Sequence, residues 1–492
     1  MKTSPVLFFA AFAAAGCAGP AGGERFVTDG VNPAFSPDGA KIAFQRLEDG
    51  VFHLGLARTD GGEIEWIEKG PGMAAYPEWT PSGALLYTYG HDTETAREAW
   101  VSKSQTGYNL RLWKDGAKRD LTHGRCRDFT ASVSPDGKTA YFASTRWVVE
   151  EHSGFSLATS TDIGRVSLGG GEPERVVRSP GGNNTGFVQP AVSPDGKTLV
   201  WGHLEHFLGN WRIYGAKIAN VDRKEWCMVS PAGINALAPR WHPGGKIICF
   251  TGFRKGDPGW GVWVEEVATG KVKRLATGEN PAFSPDGRWI AYDRDRKVYV
   301  RPFGAEDAPC ETPPPAPCDD QEPERILWST ENVARETTVK PPDPATFAFG
   351  KDKTFFVRIK AKLDGTHGVR QLLIGDYKEH GLGFQAFVDR TVWFSTRFPD
   401  GKFAFANAKA YKGAGVYTIT GIRTGKRLLV SVNGDVPSAV EPQHGMMISL
   451  DNLKRFVVGR GLKKGESVIK AEVGTGWPSD VPKTKTREEL FK

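Results

Sequence analysis

A Ser-Pro-Asp-Gly turn that keeps returning constrains this chain more than any other feature. Asn32-Pro-Ala-Phe-Ser-Pro-Asp-Gly-Ala-Lys-Ile-Ala-Phe44 recurs as Asn280-Pro-Ala-Phe-Ser-Pro-Asp-Gly-Arg-Trp-Ile-Ala-Tyr292. Between them stand Tyr76-Pro-Glu-Trp-Thr-Pro-Ser-Gly83, Ala131-Ser-Val-Ser-Pro-Asp-Gly137, Gln189-Pro-Ala-Val-Ser-Pro-Asp-Gly196 and Ala238-Pro-Arg-Trp-His-Pro-Gly-Gly245. The turn glycines, at 39, 83, 137, 196, 245 and 287, lie 42 to 59 residues apart.

Each motif predicts a hairpin. Pro presets φ, Asp hydrogen-bonds locally, and Gly accepts positive φ. The apolar runs on either side then pair as antiparallel strands, the second being Leu85-Leu-Tyr87, Ala140-Tyr-Phe142, Leu199-Val-Trp201 or Ile247-Ile-Cys-Phe250. Further strand runs follow, such as Asn109 to Trp113, Gly261 to Val264 and Lys297 to Val300. Four strands per repeat make a propeller blade, and a blade buries both faces only when stacked in a ring.

Ser-Pro-Asp-Gly hairpins followed by an Ile/Leu-x-Phe/Tyr strand resemble the repeats of TolB-like six-bladed β-propellers (PD40 or WD40-like repeats). The resemblance covers residues 24–304, with Glu24 to Thr28 similar to the last strand of the sixth blade, closing the ring. It implies a propeller but not TolB's translocation role, since TolB carries an α/β domain ahead of its propeller and residues 1–23 have room only for a leader. Propeller peptidases fit no better. The chain has no Gly-x-Ser-x-Gly elbow, and its remaining residues are too β-rich for an α/β-hydrolase domain.

Residues 305–324 form a Pro-rich linker, in which Cys310 and Cys318 flank Glu311-Thr-Pro-Pro-Pro-Ala-Pro317; an oxidising compartment would allow a disulfide between them. From 325 to 492 strand patterns resume, including Thr354 to Lys360, Gly383 to Val388, Gly415 to Thr420, Arg427 to Val432 and Arg455 to Gly459. Their alternation predicts an antiparallel two-sheet sandwich, with Asn433-Gly434 as a hairpin turn. The order is similar to laminin-G-like and concanavalin A-like jelly rolls, which implies glycan or protein binding, sometimes through calcium. Asp364, Asp376, Asp389 and Asp400 read equally as turn residues, so no calcium ligand is assigned and no other cofactor is expected. The fold expected is thus all-β, a six-bladed propeller followed by a jelly roll.

The first residues give the compartment. Lys2, an apolar run from Val6 to Ala15 and small residues after it describe a secretory signal over 1–17, too short to span a bilayer. Ala14-Ala15-Gly16-Cys17 resembles a lipobox with Ala14 where Leu is usual, which would make Cys17 the lipidated N-terminus; cleavage at the alanines would instead free the protein. The expectation is a periplasmic, outer-membrane or cell-surface location, with membrane contact only through a lipid anchor. Charge is uneven: from Arg325 onward 28 Lys/Arg face 17 Asp/Glu, whereas the rest of the chain is net negative. On an exported protein a basic domain points to an anionic envelope partner rather than nucleic acid.

One basic residue sits just past every blade's second strand: Arg46, His91, Arg146, His203, Arg254 and Arg294. Strand periodicity puts all six on one face, where they would ring the axial opening and hold a carboxylated or sulfated ligand. The dull reading makes each arginine part of the following turn. His203-Leu-Glu-His206 is the one His-x-x-His pair; oligogalacturonate lyases, which are similar propellers, hold a divalent metal with axial histidines, but the spacing alone decides nothing. Trp147, Trp211 and Trp260 are candidates for stacking on sugar rings, against a structural role between blades. With no catalytic motif in sight, the expected function is non-catalytic recognition of a glycan, acidic ones included, or of an envelope protein. A carbohydrate-active lyase or hydrolase working at the propeller axis, and an envelope assembly scaffold, are the alternatives.

Overall fold

The computed structural model describes residues 23–90, 107–124, 126–147, 161–179, 186–206, 210–223, 226–231, 233–313, 324–339, 354–364, 370–375, 383–386, 391–397, 403–409, 414–424, 427–434, 438–440, 456–481 and 490–491. Its sheets are six four-stranded antiparallel blades and two six-stranded sheets. Blade 1 runs Val31–Phe35, Lys41–Glu48, Val51–Arg58 and Glu65–Glu68 in order, and blades 2 to 5 repeat that order. Blade 6 takes three strands from Glu279–Phe283, Trp289–Arg294 and Lys297–Pro302 and its fourth from the other end of the propeller: Arg25–Asp29 pairs antiparallel with Lys297–Pro302.

The turns form as their chemistry dictates. The Ser36 hydroxyl donates to the Asp38 carboxylate, which also accepts from the Ala40 N–H at 3.0 Å, while the Lys41 N–H donates to Ser36 Oγ at 2.9 Å. The same set recurs at Ser134/Asp136, Ser193/Asp195 and Ser284/Asp286. Where the motif is Thr-Pro-Ser-Gly, Thr80 and Ser82 share a 3.0 Å hydroxyl bond; where it is His-Pro-Gly-Gly, His242 Nδ1 accepts from the Gly244 N–H at 2.9 Å. Gly196 sits at φ 71°, a left-handed conformation that a side chain would strain.

The apolar faces are shared between blades. Tyr87 and Leu85 of blade 2 pack with Leu54 and Leu56 of blade 1, and corresponding clusters join blades 2 and 3, 3 and 4, 4 and 5, and 5 and 6. Phe44, Val27 and Val300 close the ring between blades 6 and 1. Trp79 and Trp241 add indole N–H bonds to the Ala34 and Ala191 carbonyls of the preceding blades.

Beyond the propeller, one sheet is Arg325–Val333, Ser467–Thr475, Phe355–Leu363, Gly415–Thr424, Arg427–Val432 and Ser438–Val440; the other begins at Thr337–Val339 and ends at Phe403–Lys409. Both contribute to a single core that includes Phe355, Ile359, Leu373, Phe394 and Val458, so this half is a β-sandwich. Arg370 and Glu466, each about 1 % exposed or less at the side chain, form a buried ion pair inside it, joined by Asp364. The two halves touch at the chain end. Leu490 lies in the cluster shared by blades 4 and 5, and Phe491 meets Trp241 edge-on at 6.3 Å. In the linker, Glu311 extends the outer edge of blade 5 by bridging Val272. Among the described residues no helix is long and apolar enough to cross a membrane.

The turn aspartates set an acid limit. The Ser193 hydroxyl, with the Lys197 N–H and nearby lysines, holds Asp195 below the usual carboxylate range. A lowered folded-state pKa gives stability that is present above the unfolded value and is lost as pH falls through the folded one. Asp195→Ala should therefore cost about 0.5–1 kcal/mol at pH 7 after solvent screening. The gap to the parent chain in denaturant midpoint should narrow as pH falls below the ordinary aspartate range.

Candidate functional site

The site grows out of a defect repeated six times. In each blade the innermost strand shifts register once against its neighbour, and a residue at that bulge has positive φ: Asn32, Tyr76, Thr130, Gln189, Ala238 and Asn280, all between 51° and 55°. Proline follows five of the six, tolerated because a bulge leaves its position out of the ladder. The freed bulge N–H groups turn to the preceding blade. Tyr76 donates to Gln45 Oε1 at 2.7 Å, Gln189 to Thr130 Oγ1 at 3.1 Å, and Ala238 to Gln189 Oε1 at 2.9 Å. Asn280 donates to Thr251 Oγ1 at 2.7 Å, and Asn32 to Asp293 Oδ2 at 2.9 Å. Five of the six blade junctions are thus tied at the axis.

Two residues further on, the repeats read Ala34, Glu78, Ser132, Ala191, Arg240 and Ala282. Four are small. The two large ones carry opposite charge and belong to blades 2 and 5, which face each other across a six-membered ring. Burial raises the Glu78 carboxyl pKa, opposed by Arg240 and by the Val133 N–H. The bulge residues and Arg240 enclose a constriction of about 20 Å³, which is room for about one water.

Above it the axis widens into a mouth with two chambers that share Phe52 and Tyr76. The larger, about 580 Å³, is polar: Gln189, Asn280, Glu279, Asp293 and Asp295 line it together with Trp260. Asp293 is 7 % exposed and accepts from the Asn32 N–H and from Asn280 Nδ2 at 3.0 Å. Burial pushes its carboxyl up to about 6, the two hydrogen bonds oppose this, and Glu279, its cross-strand neighbour, adds to it. The smaller chamber, about 240 Å³, is walled by Met73, Tyr108, Phe129, Val188, Leu204 and Trp211.

Of the basic residues expected to ring the opening, His91 lies outside the described residues. The others sit one strand out from the axis, and each has a partner. Arg46 donates to the Asp29 carbonyl and Thr28 Oγ1, both at 2.9 Å; Arg146 pairs with buried Asp128 at 2.7 Å. Arg254 pairs with Glu311, and Arg294 with Glu24. His203 is 5 % exposed, with its ring between Phe187 and Tyr214 at 4.9 and 5.3 Å. Arg294 alone of the five lines a mouth chamber. The His206 side chain is not described, though its backbone continues the strand Thr198–His206 rather than a loop.

Trp211 and Trp260 do reach the mouth, one in each chamber, whereas the Trp147 ring covers Gly164, where a Cβ would fall 2.4 Å from it. Asp364 is committed to Arg370; Asp376, Asp389 and Asp400 lie outside the described residues, as do Cys17 and Cys318. Cys310 is disulfide-bonded, and Cys126, Cys227 and Cys249 are buried thiols. Among the described residues no group of three or more His, Cys, Asp or Glu is placed to hold a metal. Sequence reasoning missed Glu78, Arg240 and Asp293. The first two were visible as the departures from Ala or Ser at one repeat position.

Strain marks the same mouth. Asp295 and Arg296 form a two-residue hairpin with φ of 52° and 59°, where the matching turn of blade 1 has Asp49-Gly50. Left-handed backbone costs a non-glycine residue about 1–2 kcal/mol, and glycine's greater unfolded freedom returns part of that. Arg296→Gly should therefore raise stability by roughly 0.5–1 kcal/mol in denaturant melts.

No family model matches the chain. The uncharacterized peptidase YuxL of Bacillus subtilis is 28% identical over 200 residues, 39% of this chain but only 26% of that protein's length. TolB of Acinetobacter baumannii superposes with a TM-score of 0.38 at 18% identity, covering 56% of this chain and 63% of its own. An oligogalacturonate lyase in complex with manganese gives a TM-score of 0.38 at 14% identity, covering 56% of this chain and 77% of its own. At such scores these likenesses add nothing to what the sheets themselves show: an all-β chain of six propeller blades and a sandwich.

Proposed function

We propose that this chain is an exported envelope protein that binds a glycan, without catalysis, in the axial mouth of its propeller. One observation carries the reading: the 580 Å³ chamber sets Trp260, Phe52 and Tyr76 beside the amides of Asn280 and Gln189 and the carboxylates of Asp293, Glu279 and Asp295. Sugars are recognised by such a mixture, aromatic faces against C–H surfaces and planar polar groups against hydroxyls. The expected basic ring would have favoured an acidic glycan. With Arg46, Arg146, Arg254 and Arg294 engaged within the protein, and Glu279, Asp293 and Asp295 outnumbering Arg296 in the chamber lining, the chemistry favours a neutral or amino-bearing sugar. In this reading residues 1–17 carry the leader and its lipobox, with Cys17 kept as the lipidated N-terminus, and Cys310–Cys318 is the staple of the linker. The sandwich, a laminin-G-like jelly roll, serves as a second binding surface.

A second reading, a glycan-cleaving enzyme, has its own support in the adjacent Asp293 and Glu279, whose raised pKa values suit acid–base work.

A glycan-array screen of the full chain, followed by calorimetry on the hits, tests both. Trp260→Ala and Asp295→Ala should each weaken binding about tenfold, the loss of one stacking or charged hydrogen-bond contact. Glycan binding that ignores both substitutions would remove the mouth from consideration. Release of shortened product, abolished by Asp293→Asn, would replace the binding reading with the enzymatic one.

A further inference from the structure

The smaller chamber has chemistry that glycan recognition does not use. Its walls are apolar, from Phe52, Met73, Tyr108, Phe129, Val188 and Trp211, and beside Thr161, whose hydroxyl donates to the Phe187 carbonyl at 2.6 Å, two polar residues without a side-chain partner among the described residues line it. Thr88 is 1 % exposed, and its hydroxyl has no hydrogen-bond partner among the described residues. The reason lies in the repeat. Thr88 follows Tyr87 as Gln45 follows Phe44, Thr251 follows Phe250 and Asp293 follows Tyr292, and those three accept the bulge N–H of the next blade. In blade 2 the position makes no such bond. A buried hydroxyl left unpaired is a standing cost, which a ligand able to pair with it removes.

The second group is Arg127. Its backbone is fixed, the N–H donating to Thr145 Oγ1 at 2.9 Å and the carbonyl accepting from the Thr145 N–H at 3.0 Å. Arg127 lines the chamber, and its guanidinium has no carboxylate, carbonyl or ring partner among the described residues. Every basic residue examined above at the blade junctions with a cationic side chain is neutralised or bonded; Arg127 is the one in this chamber that is not. Apolar cavities of about 150 Å³ admit a single benzene ring, so about 240 Å³ accommodates a ring or short acyl chain bearing one small polar group.

We propose that this chamber is a binding site for a small apolar carboxylate, an aryl or short-chain acid whose carboxylate pairs with Arg127 and accepts from Thr88 while its body fills the aromatic wall. The site is separate from the glycan reading: it uses Arg127 and Thr88, which the polar chamber lacks, and shares with that chamber only Phe52 and Tyr76.

Titrating the full chain with phenylacetate, cyclohexanecarboxylate and octanoate, followed by tryptophan fluorescence and calorimetry, reads the site directly. Phenethyl alcohol and phenethylamine are the matched neutral and cationic probes. The acids should bind at least tenfold tighter than the alcohol, and the amine more weakly still. Arg127→Gln should erase the preference for acid over alcohol while leaving alcohol binding in place. Thr88→Val should weaken acid binding several-fold and raise the unfolding temperature of the unliganded chain, because the unpaired hydroxyl is gone. Both variants should leave any glycan binding at the polar chamber unchanged, which separates failure here from failure there. The proposal is overturned if no acid binds at about 10 mM, if the amine binds as well as the acid, or if Arg127→Gln keeps the acid preference.

Discussion

Five of the six blade junctions of this protein are tied by a backbone N–H that its own sheet does not use. The bulge in the innermost strand takes one residue out of the ladder, turns it left-handed and points its N–H across the junction to Gln45, Thr130, Gln189, Thr251 or Asp293. A buried N–H left unpaired would be costly, so each bond aligns two blades as well as joining them. Outward from this ring the shared apolar clusters complete the junctions, and the strand Arg25–Asp29 closes the circle by pairing with Lys297–Pro302.

The ring also decides what the axis can do. Because the bulges bring side chains toward the axis, the residues there are amides, hydroxyls and small groups, and any departure stands out. Glu78 and Arg240 are departures in charge, Asp293 is a carboxyl whose pKa burial raises, and Thr88 is a position where the tie is missing. The axial surface differs from blade to blade only where the repeat is broken, since a perfectly repeated ring would present the same surface from every blade. The strained Asp295-Arg296 hairpin belongs to the same pattern.

Much of this was legible before any coordinates. Ser, Pro, Asp and Gly act within a few residues of one another, so the turns and the strands beside them followed from local chemistry, as did the sandwich pattern after Arg325. The bulge was not legible. A residue before proline is ordinarily extended, and nothing local in Asn32-Pro33 or Tyr76-Pro77 announces a left-handed backbone. The partners of the basic residues were not legible for a related reason. Strands such as Lys41–Glu48 run on past the arginines, and the partners come from far along the chain: Glu24 is 270 residues from Arg294, and Glu311 is 57 from Arg254. The docking of Leu490 and Phe491 on blades 4 and 5 depends on the same long-range packing, which no window of sequence contains.

The most direct test of the axial mouth as the working site is crystallographic. Crystals of the full chain soaked with a mixed panel of monosaccharides, short oligosaccharides and small apolar acids should show density in the mouth, beside Trp260 in the polar chamber or between Phe129 and Arg127 in the apolar one. Ligands found only on the sandwich of residues 325–492, with the propeller mouth empty, would contradict the account and move recognition to the second half of the chain.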